Sequence, residues 1–290
     1  MKDKLTILTP THSFKIETEG QFNGYLNTVP SAPSTALIEK EIESLHSKMK
    51  GTEECRHIIS IDHKGTELDD AYANNLLQLT KKYKNLEILA LRMGTTDPQY
   101  TATQNFLGLR DIVETDYFLQ LEHDWLIDQE VDLNKIIKVM DENDFVKYIR
   151  FNQHQNTEGY PGSCDKNLEE EDRILEVPLL RTTEWSGNPH ICRTDTWKHW
   201  WVNLVYPTPY CYVETSIKEA FQFSQEKMGW DLAKESWGVY IYGEKYEKRL
   251  GAITSGNIVR GKISAISKNN FPSLSVQGEL VGISKISLKL

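Results

Sequence analysis

The chain is short of the features that classify a protein quickly. It has only four cysteines in 290 residues: Cys55, Cys164, Cys192 and Cys211. None stands in a C-x-x-C pair, which excludes a zinc ribbon and a thioredoxin-like redox motif. Four scattered cysteines in a chain of this length are expected to be free thiols, pointing to a reducing, cytoplasmic setting. No N-x-[ST] glycosylation acceptor occurs. No stretch approaches the roughly 18 apolar residues of a membrane-spanning helix, and MKDKLTILTPTHSFK lacks the apolar run of a signal peptide. G-x-S-x-G, H-E-x-x-H and G-x-G-x-x-G are missing as well. Their absence argues against a hydrolase with a nucleophile elbow, a zincin and a dinucleotide oxidoreductase. Positive charge is in deficit: 33 Lys and Arg face 42 Asp and Glu, for a net charge of −9. Such a surface repels a phosphate backbone, so no nucleic-acid partner is expected. An acidic protein that binds an anionic ligand needs a local cation, and a divalent metal can supply it.

Other material is plentiful. A hydrophobic share of 39% is enough for one sizeable core. No Pro/Gly/Ser-rich linker and no internal repeat divides the chain. One domain over residues 1–260 is therefore expected, followed by an extension over 261–290. The alternation in VGISKISLKL (281–290) suits a strand that covers or pairs with a sheet edge.

Periodicity gives the order of elements. LTILTP (5–10), HIISID (57–62) and LEILAL (86–91) read as buried strands, the first stopping at Pro10. Helices are expected over 34–49, with Ser34 as N-cap, over 68–83, ending in lysines that suit its dipole, and over 101–114. YFLQLEHDW (117–125) reads as a fourth strand, with Gln120 the only polar residue before its charged end. A helix at 132–143 and a strand at 145–152 follow. Residues 153–173 read as a polar loop whose acidic run LEEED (168–172) is either a solvated loop or a lid. ETSIKEAFQFSQEKMGW (214–230) is helical and SWGVYIYG (236–243) is a strand. Strands alternating with helices indicate a mainly parallel, doubly wound α/β sheet, whose ligands bind at the carboxyl ends of the strands.

The strongest chemical signal is EHDW (122–125). In an extended chain Glu122 and Asp124 point to one face. Two carboxylates that close repel unless a cation or proton intervenes, and hard oxygen ligands suit Mg²⁺ or Mn²⁺. A strand that merely becomes exposed and polar is the plain alternative. Trp185, Trp197, Trp200 and Trp201 cluster further on, where aromatic faces can stack on sugars or simply fill a core. His123 and His190 are candidate ligands, although hydrogen-bonded structural histidines read the same way. GNIVRGKI (256–263) nearly spells a P-loop, but Ile263 replaces the hydroxyl that would hold Mg²⁺.

These segments in this order resemble GT-A glycosyltransferases, in particular the inverting family 2. LTPTHS (8–13) matches its opening strand, SIDHKG (60–65) its second, NFLG (105–108) the helix before its D-x-D, and EHD a variant of D-x-D. SGNPHICRTD (186–195) is similar to its acceptor segment, and VETSIKEAF (213–221) occupies the place of its E-D motif, with Thr215 where the second acid would be. The resemblance spans roughly residues 5–240. It implies a nucleotide-sugar donor, an acceptor hydroxyl on a glycan or other molecule, and a GT-A sheet whose acceptor-side half is mixed. It implies nucleoside binding by Asp62 with Thr9 and Thr11, an ion at Asp124 and Glu122, and Glu214 as catalytic base. The late histidine that many relatives use as a metal ligand is missing. A sugar nucleotidyltransferase shares the sheet, but TPTHSFKIETEG (9–20) lacks the expected Gly-rich basic loop. A carbohydrate-binding protein with a degenerate site is the non-enzyme alternative.

Overall fold

The computed structural model describes residues 1–13, 33–92, 112–123, 125–127, 129–152, 156–157, 167–205, 213–245, 253–255 and 284–287. The expected helix at 101–114 lies mainly outside these residues, as do NFLG, Asp124 and GNIVRGKI.

Four parallel strands form one half of the sheet: β1 (Leu5–His12), β2 (Arg56–His63), β3 (Leu86–Arg92) and β4 (Tyr117–Gln120). They are rich in β-branched and Leu residues because both faces are covered, the pattern of a buried parallel sheet. The other half is mixed. It contains β6 (Tyr148–Arg150), β7 (Leu168–Glu170), β8 (Leu179–Thr182), β9 (His190–Arg193) and β10 (Val239–Tyr242). With β12 (Ser284–Ser287) the order is β12-β3-β2-β1-β4-β9-β6-β10-β8-β7. β9 runs against both β4 and β6, and β12 lies antiparallel on β3, at the edge of the sheet. The α/β class is the one the periodicity indicates.

One face of the sheet carries α1 (Ala36–Lys48), α2 (Glu67–Leu79) and α3 (Leu133–Glu142). Helix α3 shows why it docks: Leu133, Ile136, Ile137 and Met140, at helical spacing, are all buried. Burying each such side chain stabilises the fold by about 1.5–3 kcal/mol before entropy is counted. The opposite face carries helical turns Thr194–Thr196, Trp197–Trp201 and Val202–Val205, then α4 (Val213–Met228) and α5 (Trp230–Trp237). Here the core is aromatic, with Trp185, Trp197, Trp201, Trp237, Phe118, Phe221 and Tyr148 packed together. Gly238 joins α5 to β10 at φ 59°, and a Cβ there would collide with the Phe145 carbonyl, so only glycine fits.

Several expected boundaries move. β1 continues through Pro10 to His12. Alternate residues of a strand aim their backbone groups at the same neighbour, and the Leu8 carbonyl accepts from Leu121 on the β4 side at 2.9 Å. Pro10 has the same parity, and β4 pairing ends at Leu8, so its missing N–H costs no ladder bond. The N-cap of α1 is Thr35 rather than Ser34, whose Oγ accepts from Ala36 N–H at 3.3 Å. Helix α2 stops at Leu79; Lys82 instead reaches α1, pairing with Glu39 and Glu43 at 3.1 and 3.2 Å. LEEED is neither solvated loop nor lid. Leu168–Glu170 is a strand on β8, and Glu171 is buried against Arg181 at 2.6 Å.

Candidate functional site

β1 is flanked by β2 on one side and by β4 on the other, after the chain has crossed back over it. This is the topological switch point of an open α/β sheet, where the carboxyl ends diverge and leave a crevice. β4 ends at Gln120 while β1 runs on to His12, so the crevice is open above β4.

The expectation that the strand runs unbroken through EHDW to Trp125 is not met. The chain leaves the sheet after Gln120, and Trp125 N–H donates to the Glu122 carbonyl at 3.0 Å, closing a turn. The turn lets Trp125 bury itself in the core beneath α1 and α3. Its far side is held by β5 (Trp125–Ile127), which pairs with β11 (Ile253–Ser255). Its near side leans on β1: His123 Nδ1 lies 3.4 Å from the Pro10 carbonyl, and the His123 ring meets the His12 ring edge-on, centroids 5.2 Å apart. Thus Glu122 and His123 stand over the end of β1.

Asp62 sits beside them, buried at the end of β2 and paired in register with His12. The neighbouring loop is tightly tied. His63 Nδ1 accepts from Gly65 N–H at 3.1 Å, which leaves the proton on Nε2 to face Asp70 at 3.1 Å. Asp69 closes a capping box with Thr66 and accepts the Ser13 hydroxyl. Burial opposes ionisation of Asp69, but the bonds from Ser13 and Thr66 outweigh it and hold its carboxyl below the ordinary range.

Thr9 and Thr11 have side chains committed elsewhere. Thr9 is fully buried and donates to Glu41 Oε1 at 2.8 Å, while His57 Nε2 lies 2.9 Å from the same hydroxyl. Having spent its proton on Glu41, Thr9 must accept from His57. Thr11 bonds Tyr72 at 3.0 Å. Both hydroxyls face the helix layer, so β1 can offer a ligand backbone groups and the His12 ring instead.

Glu214 lies in the first turn of α4 and is exposed. Its carboxyl is 3.8 Å from where a Cβ of Gly187 would stand, in the segment that leads from Trp185 to β9. β9 in turn pairs with β4, His190 opposite Gln120. Glu214 is therefore connected to the crevice through one short segment and one strand.

No protein-family model and no curated protein matches this sequence. Among solved structures the chain is similar to S. aureus TarS 1–349, at 14% identity and a TM-score of 0.47 over 83% of this chain. It spans 60% of that structure and 37% of the longer TarS structure. TarS structures in complex with UDP and with UDP-GlcNAc also match. CMP:2-keto-3-deoxy-manno-octonic acid synthetase complexed with CTP is similar at 12% identity and a TM-score of 0.40, covering 86% of this chain and 92% of that one. A cytidylyltransferase from Leptospira borgpetersenii gives 11%, 0.42, 87% and 81% in the same order.

As for a metal, no three His, Cys, Asp or Glu among the described residues are grouped to hold an ion. Glu122 is described and Asp124 is not. Two carboxylates, completed by ligand oxygens and water, form an ordinary Mg²⁺ donor set, so the residue types fit. Among the described residues no helix is long and apolar enough to cross a membrane. Cys55 and Cys192 are free and buried, and burial pushes both thiols up, Cys55 to about 11.

Sequence reasoning passed over Gln120 and Arg150, buried polar residues on the same face as His190. The signal was present in Gln120, the lone polar residue of an apolar strand.

Proposed function

We propose that the chain is a GT-A-type glycosyltransferase, moving a sugar from a nucleoside-diphosphate sugar onto an acceptor hydroxyl with inversion. The observation that carries this reading is the Glu122–Trp125 turn, folded against the end of β1 at the switch point. It stands where a nucleotide bound along the β1–β2 ends would direct its phosphates. Asp62, at the end of β2, is the nucleoside contact. Glu122 with Asp124 would hold Mn²⁺ or Mg²⁺, which when bound offsets the charge that grows on the leaving diphosphate.

Glu214 is the proposed base. It lies exposed in the first turn of α4, close to the Gly187 segment, where a carboxylate could take the proton of an acceptor hydroxyl. Its helix packs on the aromatic face of the sheet, so donor and acceptor would approach from different sides. Direct attack of a deprotonated hydroxyl on the anomeric carbon gives one displacement and an inverted product.

The test is calorimetry with a panel of nucleoside diphosphates, with Mn²⁺ and with EDTA. UDP and UDP-GlcNAc, the ligands of the TarS complexes, are natural first members. Binding that EDTA abolishes, followed by sugar transfer with an inverted anomer by proton NMR, is the expected result. Full activity in excess EDTA removes the metal. A retained anomer removes the single displacement. Binding to no nucleotide leaves a carbohydrate-binding protein, and release of pyrophosphate from a nucleoside triphosphate and a sugar phosphate makes it a nucleotidyltransferase.

A further inference from the structure

On the aromatic face, strands β4, β9 and β6 set three polar residues side by side: Gln120 opposite His190, and His190 opposite Arg150. Directly opposed residues on one face lie roughly 4.5–5.5 Å apart at Cβ, so the three side chains are neighbours. All are buried: Gln120 is 3% exposed, His190 2% and Arg150 1%. Trp185 closes the group, its ring 6.1 Å from that of His190, and Tyr148 lies against both at 5.5 and 4.5 Å. The Tyr148 hydroxyl is fixed on the Ser186 carbonyl, so this wall is rigid.

Its hydrogen bonding is unfinished. Gln120 Nε2 and Trp185 Nε1 are buried donors with no partner among the described residues. His190 Nδ1 lies 2.7 Å from the Asn188 carbonyl, which can only accept. The ring proton is therefore on Nδ1, and Nε2 presents a lone pair. Burial, with the Arg150 charge as a lesser cause, keeps the ring neutral by pushing it down to about 4. Arg150, opposite His190, adds a positive charge that has partners of its own.

Two unpaired donors beside a fixed neutral acceptor select the chemistry of the ligand. A carboxylate or phosphate could accept from Gln120 and Trp185 and would be drawn by the Arg150 charge, but its oxygens would face the His190 lone pair. A hydroxyl satisfies both kinds of group, accepting N–H and donating O–H. An unmade buried hydrogen bond is costly, and a row that sets two such donors beside a lone pair is one that a hydroxyl would complete.

We propose that Gln120, His190 and the Trp185 indole N–H form a subsite for a neutral, hydroxylated sugar ring. Ser186–Asn188 forms its rim, beside Glu214. In the free protein water can occupy the hydroxyl's place, and a sugar hydroxyl reproduces that water's bonds while the ring covers the aromatic wall. The proposal deepens the glycosyltransferase reading, on which its link to a nucleotide rests.

Gln120→Met and Trp185→Phe test it. Gln120→Met keeps shape and removes the donor, whereas Trp185→Phe removes the donor and also shortens a buried ring, which lowers its Tm whatever the subsite does. Thermal unfolding of the ligand-free protein and affinities for UDP, UDP-glucose, UDP-GlcNAc, GDP and GDP-mannose are measured with wild type and both variants. The expected result is an unchanged or raised Tm for Gln120→Met and, for both variants, nucleoside-diphosphate affinity within about twofold and a roughly tenfold loss of the extra affinity the sugar contributes. A lowered Tm with that sugar contribution intact makes the row structural and overturns the proposal. Should wild type bind no nucleotide, the nucleotide reading fails separately. The subsite then rests on saturable quenching of tryptophan fluorescence by millimolar methyl glycosides, lost in Gln120→Met; no saturation in wild type overturns it.

Discussion

The two faces of the sheet arrange their buried polar groups differently. On the face beneath α1, α2 and α3 most of them bond one another, although Trp125 Nε1 and Arg181 Nη1 have no partner among the described residues. Thr9 bridges Glu41 and His57, Thr11 meets Tyr72, and Glu171 takes Arg181 at 2.6 Å and the Tyr240 hydroxyl at 3.0 Å. Tyr240 is so enclosed that burial, with Glu171 beside it, pushes its hydroxyl far above the ordinary range. On the aromatic face Gln120 and Trp185 keep donors with no partner among the described residues, and His190 keeps a lone pair. The row on the aromatic face gathers neutral donors and a lone pair side by side, an arrangement that one hydroxyl can complete, whereas the Glu171 cluster is built around paired charges.

That contrast can be broken experimentally. The largest effect is expected beside the aromatic face. Glu214→Gln should lower turnover by about 10²–10⁴ while unfolding is nearly unchanged, since the residue is exposed. A variant that keeps its turnover but loses about 1 kcal/mol of stability would make Glu214 a helix-end residue only. On the other face Arg181→Ala should cost about 3–5 kcal/mol in denaturant unfolding, because it leaves the buried Glu171 carboxylate underpaired. A loss below about 1 kcal/mol would show that Arg173, 2.7 Å from Glu171, suffices alone.

Acid should act on both faces. Burial holds His57 down at about 3 and His190 at about 4, against an unfolded value near 6.5. Between those values the unfolded chain binds the additional protons, so stability rises with pH across this window. It should be complete above about pH 6.5 and fall, by a few kcal/mol in order of magnitude, as pH drops toward 4 and then 3. Unfolding curves at stepped pH measure this, and a flat profile from pH 7 to 4 would contradict neutral buried histidines. The smallest effect is expected for Gln120→Met, whose ligand-free stability should not fall. Together with Arg181→Ala it separates the two kinds of cluster.

The alternation of strands and helices was legible because buried parallel strands are continuous apolar runs, as in HIISID. Turns were less so. YFLQLEHDW reads as one strand, yet the need to bury Trp125 under α1 and α3 folds it into a turn after Gln120, which no local periodicity encodes. LEEED looked solvated because its partners, Arg181, Arg173, Lys234 and Trp230, come from distant positions in the chain. Asp62 and Glu122 were found through their places at strand ends. Thr9 and Thr11 share those places, but side-chain parity aims them at the helices, which became visible only with Glu41 and Tyr72 in position.

The central claim is that a nucleotide binds where β1, β2 and the Glu122–Trp125 turn meet. The most direct measurement is calorimetric titration of wild type and Asp62→Ala with nucleoside diphosphates in Mn²⁺. Wild type should bind at least one of them saturably, and Asp62→Ala should weaken that nucleotide about tenfold or more while its unfolding midpoint stays put. Equal binding by the two proteins, or heat from neither, would contradict it.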